Sequence, residues 1–297
     1  MSNWNSQRTL AKEVEYSGIG LHTGAMVHLK LVPAPARTGI VFVRTDTADA
    51  RRIPVVIQNV EQKPLCTTIR SGDVYVQTVE HLLSALRAFG IDNVLIEINS
   101  IEPPGADGSA KEFCNLILSA GVRDLGEPRR IYTVTAPIYY SEKDTSIVAL
   151  PNPQGNLKVS YTLDYGSKLV GTQHTTFELT TERYISEISA ARTFCFEHEA
   201  RALKEAGFGK GASTRNTCVI GTSGLLDNEL RYENEFVRHK ILDLVGDLAV
   251  LGADLEAHLV CIKSGHNHNF HLARLIEQAM NNQLRAQASP ALARASS

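Results

Sequence analysis

Residues 237–262, VRHKILDLVGDLAVLGADLEAHLVCI, run from a histidine through a glycine-ended helix into a strand. Residues 78–98, TVEHLLSALRAFGIDNVLIEI, do the same. The echo predicts two related α/β units, each a sheet covered by helices on one face. Such units leave an apolar helical surface exposed, and packing them helix to helix buries both surfaces. The fold class expected is therefore α+β, with two similar two-layer α/β sandwich domains whose seam brings His81 and His239 together.

The later segment also carries an unusual stripe. His239, Asp243 and Asp247 are spaced i, i+4, i+8 and share one face of the helix. Val237, Ile241, Leu244, Leu248 and Leu251 cover one flank, and Leu242, Val245 and Ala249 the other. No solvated side remains, so the acids are expected to be buried. An unpartnered buried carboxylate costs several kcal/mol, which leaves two readings: a metal or catalytic site, or a structural network with an Arg or Lys from elsewhere. His81 from the first unit, with His239 and Asp243 from the second, supplies the roughly three protein ligands of a catalytic zinc with an open position. Glu80 points about 100° away from His81, placed to reach a ligand of the ion from the side.

Around these helices the chain reads as strands first in each half. LAKEVEYSGIGL, AMVHLKLVPA and GIVFVRT precede the helix that closes at Gly90. NVLIEINS, the turn-rich IEPPGADGS and the amphipathic AKEFCNLILSAG follow it. The polar stretch DLGEPRR (124–130) breaks the pattern and marks the boundary between domains at 1–126 and 131–284. In the second half, IYTVTAPIYYS, SIVALP and NLKVSYTLDY lead to the 234–251 helix, the strand HLVCIKS and the helix HLARLIEQAMNN. The Ala/Ser/Arg-rich 285–297 is expected to be a frayed or disordered tail.

Composition narrows the classes. A 297-residue chain that is 43% hydrophobic and 21% charged, with formal net charge −2, is that of a globular protein. The charge makes no case for nucleic acid or an anionic membrane surface. The start lacks a signal-peptide core and no run is long enough to span a membrane, so a cytoplasmic protein is expected. Five scattered cysteines, never in C-x-x-C, read as reduced thiols. Cys195 and His198 have metal spacing, but a single pair reads as structural.

Other motifs are weaker. KSGHNHNFH offers His266, His268 and His271. The H-x-H-x-x-H spacing is similar to a metallo-β-lactamase loop, but Phe270 stands where that motif has an acid. The preferred reading has His266, preceded by Gly265, reaching the site as an acid/base, with His268 and His271 as polar helix-start residues. In ISAARTFCF, Thr193 is either an oxyanion donor or a strand-edge threonine. GFGKGAS (207–213) is glycine-rich but matches neither phosphate-binding motif, which disfavours a nucleotide kinase or dehydrogenase.

GIGLHTG (18–24), TVEHLLSAL (78–86), IDN (91–93), DGSA (107–110), ARTF (191–194), LRYENEFVRHKILDLVGDL (230–248) and the SGH-x-x-N loop (264–269) together closely resemble the UDP-3-O-acyl-N-acetylglucosamine deacetylase family. The resemblance runs from about residue 8 to 280. It implies a zinc enzyme of lipid A synthesis, with two like domains, an insert in each, and the active site between them. Matched residue by residue, it implies His81, His239 and Asp243 as ligands of one zinc per chain, a set that also suits ferrous iron. It implies Glu80 as general base, His266 as general acid or electrostatic stabiliser, Asp247 as the acid that orients it, and Thr193 as the hydroxyl beside the zinc. Lys240 and Phe194 match substrate contacts, and Leu65 and Cys66 fall in the first insert near the substrate. The second insert, about 197–220, is implied to shape the passage for the acyl chain. The implied partner is the acylated UDP-N-acetylglucosamine substrate, and a monomer is expected. Departures from the family pattern are Gly105 and Ala106 before Asp107, where a bulkier apolar pair is usual, and His268, where an apolar residue is common. Two competing classes remain: a non-catalytic tandem α/β binding module, and a zinc amidohydrolase acting on another acylated sugar.

Overall fold

The computed structural model describes residues 5–63 and 65–295. The first sheet has five strands in the order Val14–Ile19, Met26–Pro33, Val94–Ile98, Ile40–Arg44, Arg51–Pro54. The second runs Ile138–Glu142, Thr145–Leu150, Asp254–Ile262, Leu157–Asp164, Thr172–Glu178, with the short Ile131–Thr133 also paired to Asp254–Ile262. In each sheet the strand that follows the buried helix enters the middle. Val94–Ile98 runs antiparallel to Met26–Pro33 and parallel to Ile40–Arg44. Asp254–Ile262 runs antiparallel to Thr145–Leu150 and parallel to Leu157–Asp164. The two sheets thus share strand order and sense throughout, the topological form of the sequence echo.

Alternation explains which faces are covered. In the first central strand Val94, Ile96 and Ile98 are buried, and in the second Leu255, Ala257, Leu259 and Cys261. Helices α1 (Glu80–Ala88) and α2 (Lys111–Ala120) accompany the first sheet. The second half contributes the single turn α3 (Thr181–Arg183), then α4 (Glu197–Glu205), α5 (Glu235–Asp247) and α6 (His266–Ala295). Helix α1 ends as its sequence predicts: Gly90 takes φ 64° and the Ile91 N–H closes on Leu86 O at 2.9 Å.

Helices α1 and α5 meet at backbone distance. A Cβ on Gly246 would lie 2.1 Å from Glu80 O and 2.9 Å from its Cα, so only hydrogen fits there. That contact seats the start of α1 on the last turn of α5.

Several segments differ from the sequence expectation. The polar stretch at 124–130 largely belongs to a strand, Val122–Pro128, paired antiparallel with Ser6–Leu10. Its solvent exposure leaves no hydrophobic alternation to read. Beyond it, Arg129 bonds Asp92 at 2.7 Å and Asp254 at 2.8 Å, so one buried guanidinium ties the approaches to both central strands. Helix α6 starts at His266 rather than near His271 and is drawn to Ala295; 296–297 lie outside the described residues. The first-half insertion holds three short strands, Val60–Glu61, Thr68–Ser71 and Val74–Gln77. Among the described residues no helix is long and apolar enough to cross a membrane.

Gly246→Ala should destabilise the protein by about 1–3 kcal/mol through overpacking, read as a lower urea midpoint. It should also lower the activity of the protein that remains folded, because the displaced backbone carries Glu80.

Candidate active site

The α1–α5 crossing gathers ionisable side chains that the chain holds far apart. The His81 and His239 rings stand 5.0 Å apart between centroids, nearly perpendicular. Asp243 Oδ1 lies 3.7 Å from His81 Nε2 and 3.4 Å from His239 Nε2. One donor atom from each of the three residues falls within 4.8 Å of the others, and all three residues are buried.

Protonation follows from the surroundings. His239 Nδ1 sits 3.0 Å from the Ala191 carbonyl, which only accepts, so Nδ1 carries the hydrogen and Nε2 turns its lone pair to the cluster. Burial, then the neighbouring His239, pushes His81 down to about 3. Burial lowers His239 as well. Burial disfavours the Asp243 carboxylate, but His239, Lys240, His266 and His81 outweigh it and hold the group well below the usual range. Two neutral imidazoles and an ionised carboxylate converging within 4.8 Å are the donor set a divalent transition ion takes, so the residues fit such a metal.

A second group adjoins the first. Burial raises the Glu80 carboxyl to about 7, with His266 opposing and Asp243 and Asp247 adding to the rise. Its Oε2 accepts the Thr67 N–H at 3.0 Å. Asp247 is fully buried; its Oδ2 accepts from His266 Nδ1 at 2.9 Å and from Asn269 Nδ2 at 2.7 Å, and its Oδ1 from the Thr67 hydroxyl. Burial opposes charge on His266, yet Asp247 above all, then Asp243 and Glu80, raises it to about 9.

Glu80, His81, Thr193, Phe194, Lys240 and His266 open onto one cavity of about 790 Å³, within the range that takes a sizeable ligand. Thr193 is fixed through its N–H to Gly108 O at 2.8 Å. Lys240 Nζ donates to Asp243 Oδ2 at 3.0 Å and stands 5.6 Å from the centre of the Phe194 ring. Leu65 lines the same cavity, half exposed. Cys66 does not: it is buried, with Sγ 3.9 Å from Thr68 Oγ1. Helix α4 and residues 209–219 supply another wall. His268 and His271 stay at the helix start, His268 taking the Gly265 N–H at 3.3 Å and His271 stacking on Tyr140 at 4.5 Å. All five cysteines are free thiols.

Sequence reasoning missed Thr67, Asn269 and the Ala191 carbonyl. Thr67 meets Asp247 across 180 residues of chain, and no local spacing announces that pairing. Asn269 carried the one available signal, three residues after His266 on the same helical turn.

Residues 7–278 match the family described as UDP-3-O-acyl N-acetylglycosamine deacetylase, LpxC. The chain belongs to that family. Curated relatives named UDP-3-O-acyl-N-acetylglucosamine deacetylase agree over nearly their whole length. The one from Chlamydia caviae is 40% identical over 277 residues, covering 93% of this chain and 98% of its own. Those from Thermodesulfovibrio yellowstonii and Saccharophagus degradans are 39% and 42% identical, covering 91% and 92% of this chain and 92% and 90% of theirs.

The His266–Asp247 pair sets a sign. Its raised pKa adds stability that is fully present below the ordinary value of 6.5 and is lost as pH rises through about 9. In an NMR titration the His266 ring should stay protonated through neutral pH, and Asp247→Asn should bring its midpoint down towards the ordinary value. An unchanged midpoint would remove Asp247 as the cause.

Proposed function

We propose that this deacetylase hydrolyses the N-acetyl group of UDP-3-O-(3-hydroxyacyl)-N-acetylglucosamine, giving acetate and UDP-3-O-acyl-glucosamine in lipid A biosynthesis. The observation that carries the reading is the convergence of a buried His81–His239–Asp243 cluster, Glu80 and His266 on one cavity, in a chain of this family. His81, His239 and Asp243 would hold a zinc ion, or ferrous iron, which when bound supplies Lewis acidity to an amide carbonyl and to water.

The remaining chemistry belongs to the side chains. Glu80, with a pKa raised to about 7, is matched to take a proton from the attacking water near neutral pH. The oxygen–carbon bond forms as the carbonyl π pair moves onto oxygen, where the Thr193 hydroxyl donates; a preformed donor of this kind is worth about 3 kcal/mol. The carbon–nitrogen bond then breaks, and His266, kept cationic by Asp247, delivers a proton to the departing amine or stabilises its charge. Lys240 and Phe194 form a wall for the sugar, and Leu65, with α4 and the segment to 220, lines the route for the acyl chain. The unit boundaries 1–126 and 131–284, a monomeric state and a cytoplasmic location complete the reading.

Two variants test it. Metal analysis should give one ion per chain, and acetate release should require it. Asp243→Ala should lose both ion and activity, whereas Glu80→Ala should keep the ion and lose about 10²–10⁴-fold in turnover. An active, metal-free wild type would sink the metal assignment, and a fully active Glu80→Ala would sink the base.

A further inference from the structure

Thr67 is fully buried and lies immediately before the strand Thr68–Ser71. Its backbone N–H donates to Glu80 Oε2 at 3.0 Å, and its hydroxyl donates to Asp247 Oδ1. One residue of the first-half insertion thus grips a carboxylate on α1 and another on α5. Among the described residues no hydrogen bond reaches Glu80 Oε1, while Asp247 Oδ2 is taken by His266 and Asn269.

From this juxtaposition we infer that Thr67 is a positioning residue for the hydrolysis: it fixes Glu80 by Oε2, leaving Oε1 as the oxygen that takes the proton, and through Asp247 it sets where His266 stands relative to Glu80. The base sits on one helix and the acid's anchor on the other. The Gly246 contact fixes the two backbones but not these side chains, and among the described residues no other residue hydrogen-bonds both carboxylates to hold them in register. The cost of losing register is kinetic, since a displacement near 1 Å between reacting groups lowers a rate by about 100-fold. The inference rests on the deacetylase reading, and its test contains an arm that does not.

Thr67→Val removes the hydroxyl while keeping the N–H and the shape; Thr67→Ser restores the hydroxyl. With wild-type metal content, Thr67→Val should lose about 10–100-fold in kcat with KM changed less than about twofold, and Thr67→Ser should recover most of the loss. In an Asp247→Asn background, Thr67→Val should cost less than about twofold more, because the tether already lacks its charged acceptor. The independent arm is the His266 Nδ1–H NMR signal, expected to be sharp in wild type and Thr67→Ser and to exchange rapidly with water in Thr67→Val. An unchanged kcat in Thr67→Val, a Ser variant no better than Val, or a full additional loss in the Asp247→Asn background would each overturn the inference. A wild type that releases no acetate would overturn the function instead, leaving the NMR signal to decide the tether. If Thr67→Val does not fold, Thr67→Cys, with its weaker donor, carries the same expectations.

Discussion

Everything at this site depends on two helices touching main chain to main chain. Gly246 on α5 faces the Glu80 peptide of α1 with no room for a Cβ, so the helices cannot separate by even a methyl's width without losing their packing. Glycine costs about 1 kcal/mol in a helix interior relative to alanine, and here that cost secures the approach. His81 follows the contact by one residue. His239 and Asp243 precede it on α5 by about two turns and one turn. The separation of the three donors is thereby set by a backbone contact rather than by adjustable side chains, which is what a short-bonded ion demands.

Around that contact the charges balance one another. Asp243 is held ionised beside Lys240 at 3.0 Å, and His266 is kept cationic with its ring nitrogen 2.9 Å from Asp247. Burial then decides the remaining groups, keeping His81 neutral and lifting Glu80 towards neutrality. Burial alone would make every carboxyl here a weaker acid. The same depth therefore yields a firm anion at Asp243 and a soft base at Glu80, and the difference comes from which cations lie within reach.

Much of this was legible because it is local. The apolar periodicity around His239, the i, i+4 spacing to Asp243 and the glycine stop at Gly90 need only neighbouring residues to read. So does the buried alternation in the two central strands. What escaped is non-local or lacks a pattern. Val122–Pro128 lies in an exposed two-stranded ribbon, so neither face selects apolar residues. The strands Val60–Glu61 and Thr68–Ser71 are too short to establish a period. Helix α6 begins among polar residues because Asp247 and Tyr140 receive the His266 and His271 rings, partners that exist only after the sheets assemble. Leu65 and Cys66 are adjacent in sequence, yet a single turn of backbone sends one to the cavity and the other into the interior.

The shared strand order has a consequence for how such a catalyst varies. In both halves the additional elements enter the chain at the same point, after the edge strand Arg51–Pro54 or Thr172–Glu178 and before the buried helix: residues 57–77 in the first, 181–220 in the second. Lengthening a surface excursion at that slot changes loop-closure entropy only logarithmically and leaves each ladder intact. The slot also opens beside the helix start, so whatever is inserted there overhangs the cavity. The scaffold therefore works like a vice with interchangeable jaws: ligand shape can drift through two independent insertions while the clamped helices, and the atoms between them, keep their places.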